Sequence, residues 1–347
     1  MKLIKTEDAV GQILCHDITQ IIRGVKKGPV FKKGHVITEE DIPVLLRVGK
    51  DNIYIWENDE TMLHENDAAQ ILYDLCKSEH TIPGTISEGK IEVIADCDGL
   101  LKVDREKLKI INSYGEMMVA SRHGNFAVKK GDKIAGTRII PLVIEKEKMD
   151  RVKSLVGDGG IFKILPFKTM NVGVVTTGNE VFYGRIQDTF TPVIEEKIGE
   201  FGAAMVSHKY SSDDPQMIIS SIRELLEEGV DMVICTGGMS VDPDDKTPFA
   251  IREACGEIVT YGAPVLPGAM FLLSYYGEKQ IPILGLPGCV MYARRTIFDL
   301  VLPRVMAGER LVKEEDCFCI MTKNIMRNHW AMKNILSSVV GDMCQCP

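Results

Sequence analysis

No run in this sequence approaches the length of a membrane span. Its opening, MKLIKTEDAVGQ, has no apolar segment of the kind that heads a secreted protein. A cytoplasmic protein with no membrane partner is expected. Basic charge is also in short supply. With 41 Lys and Arg against 49 Asp and Glu, the net charge is −8, the reverse of the footprint of a protein that coats nucleic acid. No nucleic acid partner is expected. The usual phosphate fingerprints are missing too: there is no G-x-x-x-x-G-K-[ST], and no G-x-G-x-x-G joins a strand to a helix. GDGG at 157–160 precedes the sheet-forming part of the chain and reads as linker. The seven histidines are scattered, so no Ser-His-Asp or Cys-His arrangement follows from their spacing.

What is present is an ordinary globular composition, 45% hydrophobic and 26% charged, at a length that accommodates two or three domains. Of the ten cysteines, Cys15, Cys76, Cys97, Cys235, Cys255 and Cys289 lie singly in apolar or turn surroundings, where a small buried thiol is expected. The other four form two C-x-C pairs, Cys317/Cys319 and Cys344/Cys346. In a cytosolic chain such pairs point to metal or redox chemistry before structural disulfides. Their spacing is not the C-x₂-C of common zinc sites, which does not favour a metal there.

The texture changes along the chain. Residues 1–60 read as a small α+β module, with a helix opening between Thr38 and Asp41 and stopped by Gly49. Residues 61–150 read as a β-rich module preceded by an amphipathic helix over 64–78, with Ala68, Ile71, Leu72 and Leu75 on one face. EKEKMDRVKS (145–154) reads as a solvated helical connector, and 151–167 as linker. From 168 to 312 strands alternate with helices: NVGVVTT is a near-continuous apolar run, as buried parallel strands are, and AAMVSHK, DMVICT and IPILGL read as further strands. CVMYARRTIFDLVLPRVMAG reads as a long closing helix, followed by a cysteine-containing extension over 313–347. The fold class expected is α/β, a doubly wound, mainly parallel sheet behind smaller β-rich α+β modules.

Three helices of this region open on Thr191-Pro192, Asp214-Pro215 and Thr247-Pro248, each pairing a capping residue type with a proline suited to the first helical turn. Their N-termini offer unpaired N–H groups and a positive dipole end. In open parallel sheets such ends lie at the rim where ligands bind. The same rim would carry Asp213, Asp214, Asp242, Asp244 and Asp245, carboxylates that repel one another unless a cation or a donor stands between them.

Four loops occur in order: TTGNEV (176–181), SSDDP (211–215), CTGGMSVDPDDKTP (235–248) and GLPGCV (285–290). Together they resemble the molybdopterin-binding domain shared by molybdopterin molybdotransferases and molybdopterin adenylyltransferases. TTGNEV is similar to that family's T-G-[DS]-E-[LV] loop, TGGMS to its T/S-G-G-x-[SG] loop, and GLPG to the start of its G-L-P-G-N-P loop. PVLPGAMF (264–271) resembles the P-G-K-P segment of the molybdotransferase branch, which is the closer one. The resemblance covers about residues 168–310.

The resemblance implies a pterin ligand with a terminal phosphate, or a pyrophosphate when adenylylated, gripped by helix N-termini and a Mg²⁺ ion. It marks Glu180, Asp214 and Asp245 as catalytic acids, and Asp214, Asp242 and Asp245 as metal ligands. Thr177, Gly178, Asn179, Thr236, Gly237, Gly238, Met239, Ser240, Pro287 and Gly288 would contact the ligand. The implied activity is insertion of molybdate into adenylylated molybdopterin with release of AMP, in a homo-oligomer, with a dimer favoured. Three departures from the family pattern stand out: Asn179 where an acid is common, Cys289 and Val290 in place of Asn and Pro, and no counterpart to the molybdotransferases' C-terminal β-domain. They keep two other readings open, a non-catalytic pterin carrier or sensor and a nucleotide pyrophosphate hydrolase. Asp214 as a simple helix cap, Asp242 and Asp244 as turn solvation, and Gly237 and Gly238 as a tight turn are the plainer roles for those residues.

Overall fold

The computed structural model describes residues 2–22, 26–55, 59–240, 242–243 and 245–312. Asp244 and the extension 313–347 with its four cysteines lie outside the described residues. The chain divides into two compact units, the second taking up nearly everything after Ile164.

In the first unit, strand Lys2–Lys5 pairs antiparallel with Asn52–Ile55, and Ile18–Ile22 with Lys26–Phe31. A small core of Leu14, Ile18, Ile37, Leu45 and Ile53 holds this part together. A larger core follows, on an antiparallel sheet ordered Thr81–Pro83, Lys90–Ala95, Lys133–Ile139, Met117–Ser121. The helix expected over 64–78 is Glu65–Cys76, with Ala68, Leu72 and Leu75 buried and Ile71 half-buried.

Three expectations fail here for tertiary reasons. Arg105–Ser113 is a helix, capped by Asp104 accepting from Lys107 N at 3.0 Å, within a stretch that reads as strands and turns. The charged run is the helix Lys146–Val156, and it is no solvated connector: Met149, Val152 and Val156 are buried in the larger core. The expected linker likewise contains the strand Phe162–Pro166, whose Phe162 and Ile164 are buried.

His64 caps Glu65–Cys76 in one protonation state only. Its Nε2 lies 2.6 Å from Cys15 O and must donate, while Nδ1 accepts from Asn66 N at 3.2 Å. A second ring proton would abolish the cap.

In the second unit the elements are β1 (Asn171–Thr177), α1 (Asn179–Phe182), α2 (Thr191–Gly199), β2 (Ala204–Ser211), α3 (Pro215–Glu227), β3 (Met232–Thr236), α4 (Thr247–Cys255), β4 (Ile258–Tyr261), β5 (Leu272–Tyr276), β6 (Ile281–Leu286) and α5 (Ile297–Met306). The sheet runs β2-β1-β3-β6-β5-β4. Its first four strands are parallel, and β5 and β4 add an antiparallel edge.

Alternation along each strand divides the apolar residues between two faces. Val172, Val174, Ile234, Leu284 and Leu286 join Ile194 and Ile198 of α2 and Ile297, Phe298 and Val301 of α5 in one core. Val175, Val233, Cys235 and Ile283 join Ile218, Ile222 and Leu225 of α3 and Ala250 and Ile251 of α4 in the other. Each such side chain contributes about 1.5–3 kcal/mol, so the sheet is held from both sides. At Gly173 α3 packs close: a Cβ there would lie 2.9 Å from Leu225 Cδ1. The closing helix is shorter than expected. A 3-10 turn at Gly288–Met291 comes first, and α5 restarts with a capping box of Thr296 and Asp299.

Burial holds His64 below the ordinary histidine value, outweighing its bond to Cys15 O, and burial likewise lowers His16. The unfolded chain therefore binds more protons than the folded one below a pH of about 6.5, and stability is lost as pH falls. Urea unfolding followed by circular dichroism should give a lower midpoint at pH 5.5 than at pH 7.5. His64→Asn, which keeps a cap acceptor but does not titrate, should reduce that difference by about 1 kcal/mol. An unchanged difference in the variant rules out the neutral histidine cap.

Candidate functional site

The four quoted loops leave the C-terminal ends of β1, β2, β3 and β6, which are adjacent parallel strands. The chain leaves β1 toward α2 on one face and β3 toward α4 on the other. The neighbouring loops after β1 and β3 thus diverge, and that divergence makes the crevice at which open sheets of this kind bind ligands.

Three of the loops are tied to one another. Gly178 N donates to Ser211 O at 3.2 Å, and Asn179 N to Asp213 Oδ2 at 3.1 Å. The Thr177 hydroxyl donates to Thr236 O at 3.0 Å and lies 3.1 Å from Thr247 Oγ1. The fourth loop follows by register, Leu286 opposite Thr236.

The glycine pair is placed by this junction. Gly237 has φ +84°, and a Cβ on it would stand 2.2 Å from Thr177 O. Gly238 has φ +55°, with Thr247 Oγ1 at 2.8 Å from the same construction. Both positions exclude L side chains. The close approach they permit is that of one loop to the next.

Met239, expected to touch ligand, is instead buried, and a Cβ on Gly285 would stand 2.6 Å from its Cε. Ser240 is exposed. The Tyr261 hydroxyl, at the end of β4, lies 3.2 Å from both Met239 O and Ser240 O and shares its one proton between them, and burial followed by the Asp245 charge raises its phenol. No motif singled out Tyr261, because β4 is antiparallel and only four residues long.

The acids separate into different roles. Glu180 is exposed in the single turn of α1, and its Oε1 folds back to 2.8 Å from where a Gly178 Cβ would be. Asp214 is the cap of α3, accepting from Gln216 N at 3.1 Å. Asp213, not Asp214, faces the first loop. Asp242 O accepts from Asp245 N at 3.0 Å in a turn of the third loop.

Among the described residues no three His, Cys, Asp or Glu side chains are gathered to hold a metal ion. Of the expected ligand set, Asp214 caps a helix, while Asp242 and Asp245 share a turn of the third loop. These carboxylates do not fit a preformed Mg²⁺ cage.

The capping expectation also holds only for Asp214. Thr191 and Thr247 are the first residues of their helices and turn their hydroxyls toward the strand ends. Among the described residues no side chain caps the first N–H groups of α4. At α2 those groups are met by Asp188, missed by the motif reading, whose Oδ1 accepts from Phe190 N at 2.8 Å and Thr191 N at 3.1 Å. Burial alone would raise Asp188, but donors from Thr191, Phe190 and Thr176 outweigh it and hold the carboxyl below its ordinary value. An acid three residues before a Thr-Pro helix start was the available signal.

In the fourth loop Pro287 is buried and Gly288 exposed. Val290 is fully buried in the α2/α5 core, which is how this chain uses the position where the resemblance expects Pro. Burial raises the thiol of half-buried Cys289.

An edge of this construction belongs to an α/β domain of the doubly wound class. Residues 173–307 match the family described as "Probable molybdopterin binding domain", and this segment is a domain of that family. Residues 3–57 match a family described as a domain of unknown function. A CinA-like protein of Mycobacterium avium (strain 104) is 33% identical over 93 residues, which are 27% of this chain and 21% of the relative. A second, from Mycobacterium sp. (strain MCS), is 36% identical over 84 residues, 24% of this chain and 20% of the relative. The chain thus spans about a fifth of the length of the curated relatives it matches. Among solved structures, the molybdopterin biosynthesis enzyme MoaB from Thermus thermophilus aligns at 27% identity and a TM-score of 0.36, over 41% of this chain and 98% of that one. The protein CinA from Thermoplasma acidophilum aligns at 21% and 0.30, over 35% and 89%.

Gly237→Ala should destabilise the second unit by more than about 2 kcal/mol, since it combines left-handed strain with a main-chain clash. Gly288→Ala, with open space around the added methyl, should stay within about 0.5 kcal/mol of wild type. Thermal melts of both variants check this; equal melts would mean that the loops after β1 and β3 do not touch.

Proposed function

We propose that the rim formed by Thr177–Glu180, Ser211–Asp214, Thr236–Asp245 and Leu286–Cys289 binds adenylylated molybdopterin, and that the chain exchanges its adenylyl group for molybdate with release of AMP. The observation that carries this reading is the junction of Thr177 with Thr236 and Thr247, which brings the first and third loops to one crevice beside the uncapped start of α4. Backbone N–H groups and a helix dipole suit a phosphate or pyrophosphate. Fixed donors of this kind stabilise charge developing on phosphoryl oxygens without reorganising.

In the reaction, water attacks one phosphorus of the pyrophosphate. The P–O–P bond breaks, one phosphate leaves as AMP, and the other remains on the pterin, whose two dithiolene thiols bond to molybdenum as one molybdate oxygen leaves with their protons as water. Glu180, exposed beside Gly178, is the group in reach of a proton on the attacking water. Asp245, beside Tyr261, lines the third loop. Asp214 keeps α3 and the second loop in place. Molybdate is a substrate, and no step is assigned to a divalent ion, because among the described residues the carboxylates do not gather for one.

A second reading, a pterin carrier or sensor without turnover, is favoured by one observation: Asn179, where the resemblance expects an acid, is bound back to Asp213 through both backbone and side chain.

AMP release from adenylylated molybdopterin, measured with and without molybdate, separates the readings. Molybdate-dependent release that falls at least about tenfold in Glu180→Gln and in Asp245→Asn supports the transferase. Binding without release selects the carrier. Release without molybdate selects a pyrophosphate hydrolase. Normal turnover in both variants removes the roles given to these acids.

A further inference from the structure

Beside the rim, β2 and the start of α2 enclose a polar cluster that this reaction does not use. His208 Nε2 lies 2.9 Å from Thr176 Oγ1 and 3.3 Å from Thr191 Oγ1. Thr191 donates to Asp188 Oδ2 at 2.6 Å, Thr176 donates to the same oxygen at 3.2 Å, and the Thr236 hydroxyl reaches Thr176 Oγ1 at 3.4 Å. The side chains of His208 and Asp188 are 17% and 7% exposed. The Tyr210 ring lies 4.3 Å from the imidazole, centroid to centroid.

Each hydroxyl has one proton to give. Those of Thr191 and Thr176 both go to Asp188, so Thr176 Oγ1 faces Thr236 and His208 as an acceptor. The 2.9 Å contact is then satisfied only by a proton on His208 Nε2. The same nitrogen is 3.7 Å from Asp188 Oδ2, so the imidazole does not stand between hydroxyl and carboxylate as a nucleophile-activating base would. Thr176 is in any case buried.

We infer that His208 is a positioning residue: its Nε2–H, acting through the Thr176 hydroxyl, orients Asp188, and Asp188 fixes the turn that closes the segment carrying Gly178 and Glu180. In its bearing on ligand, the inference rests on the pterin reading of the rim. The placement is consistent with a neutral ring, since burial lowers His208 against the opposing charges of Asp188 and Glu195.

Two measurements test it. Long-range ¹H–¹⁵N spectra of the labelled full chain at pH 7.5 should show His208 as the Nε2–H tautomer; the Nδ1–H tautomer overturns the inference whether or not any ligand binds. Fluorescence titration with 6-hydroxymethylpterin phosphate then compares wild type with His208→Gln, which keeps an N–H donor, and His208→Leu, which has none. The Gln variant should bind within about threefold of wild type and the Leu variant at least about tenfold more weakly. Equal affinities of the two variants overturn the inference. If His208→Leu does not fold, Thr176→Ser and Thr176→Val give the same contrast through the hydroxyl. If wild type does not bind the pterin phosphate, the proposed function fails, and the tautomer alone decides what His208 does.

Discussion

The second unit depends on the contact between the ends of β1 and β3. Thr177 offers its carbonyl to the space that a side chain at position 237 would occupy, and its hydroxyl joins Thr236 O and Thr247 Oγ1. The contact is made from main chain and two small hydroxyls, so it tolerates little volume. From it follow the left-handed glycines, the entry of α4 without a cap, and the placing of the third loop against the first.

The two-faced sheet explains how this contact stays fixed. One core locks α2 and α5, the other α3 and α4, and β1, β3 and β6 are clamped between them. Val290 and Met239 extend these cores up to the bases of the fourth and third loops. Polar groups at the strand ends are satisfied sideways by Asp188, Thr191 and Thr247. The rim is therefore rigid where it leaves the sheet and exposed further out, at Glu180, Asp214 and Asp242.

Much of the α/β unit was legible because a parallel strand covered on both faces has no polar side to show: NVGVVTT and MVICT read as strands without ambiguity. Loop positions followed from strand ends. What was not legible depended on partners distant in sequence. The helix Lys146–Val156 looks like a solvated charge run until Met149, Val152 and Val156 are seen to face the core. The Thr-Pro dipeptides carry the composition of caps, yet Asp188 takes that task at α2 and the threonine hydroxyls turn inward. The glycine pair signalled close approach, but composition cannot name what approaches. Charge is visible in sequence and side-chain direction is not: Asp213 and Asp214 are neighbours with different partners.

A rim built mostly of peptide groups has one more property. Peptide N–H donors are the same at every residue except proline, so substitutions that leave the backbone path intact do not alter them. The carboxylates around the rim enjoy no such protection: each is a single side chain that one substitution removes. Grip and turnover in this architecture are written in different parts of the chain, one in its path and the other in its side chains, and they can be inherited separately.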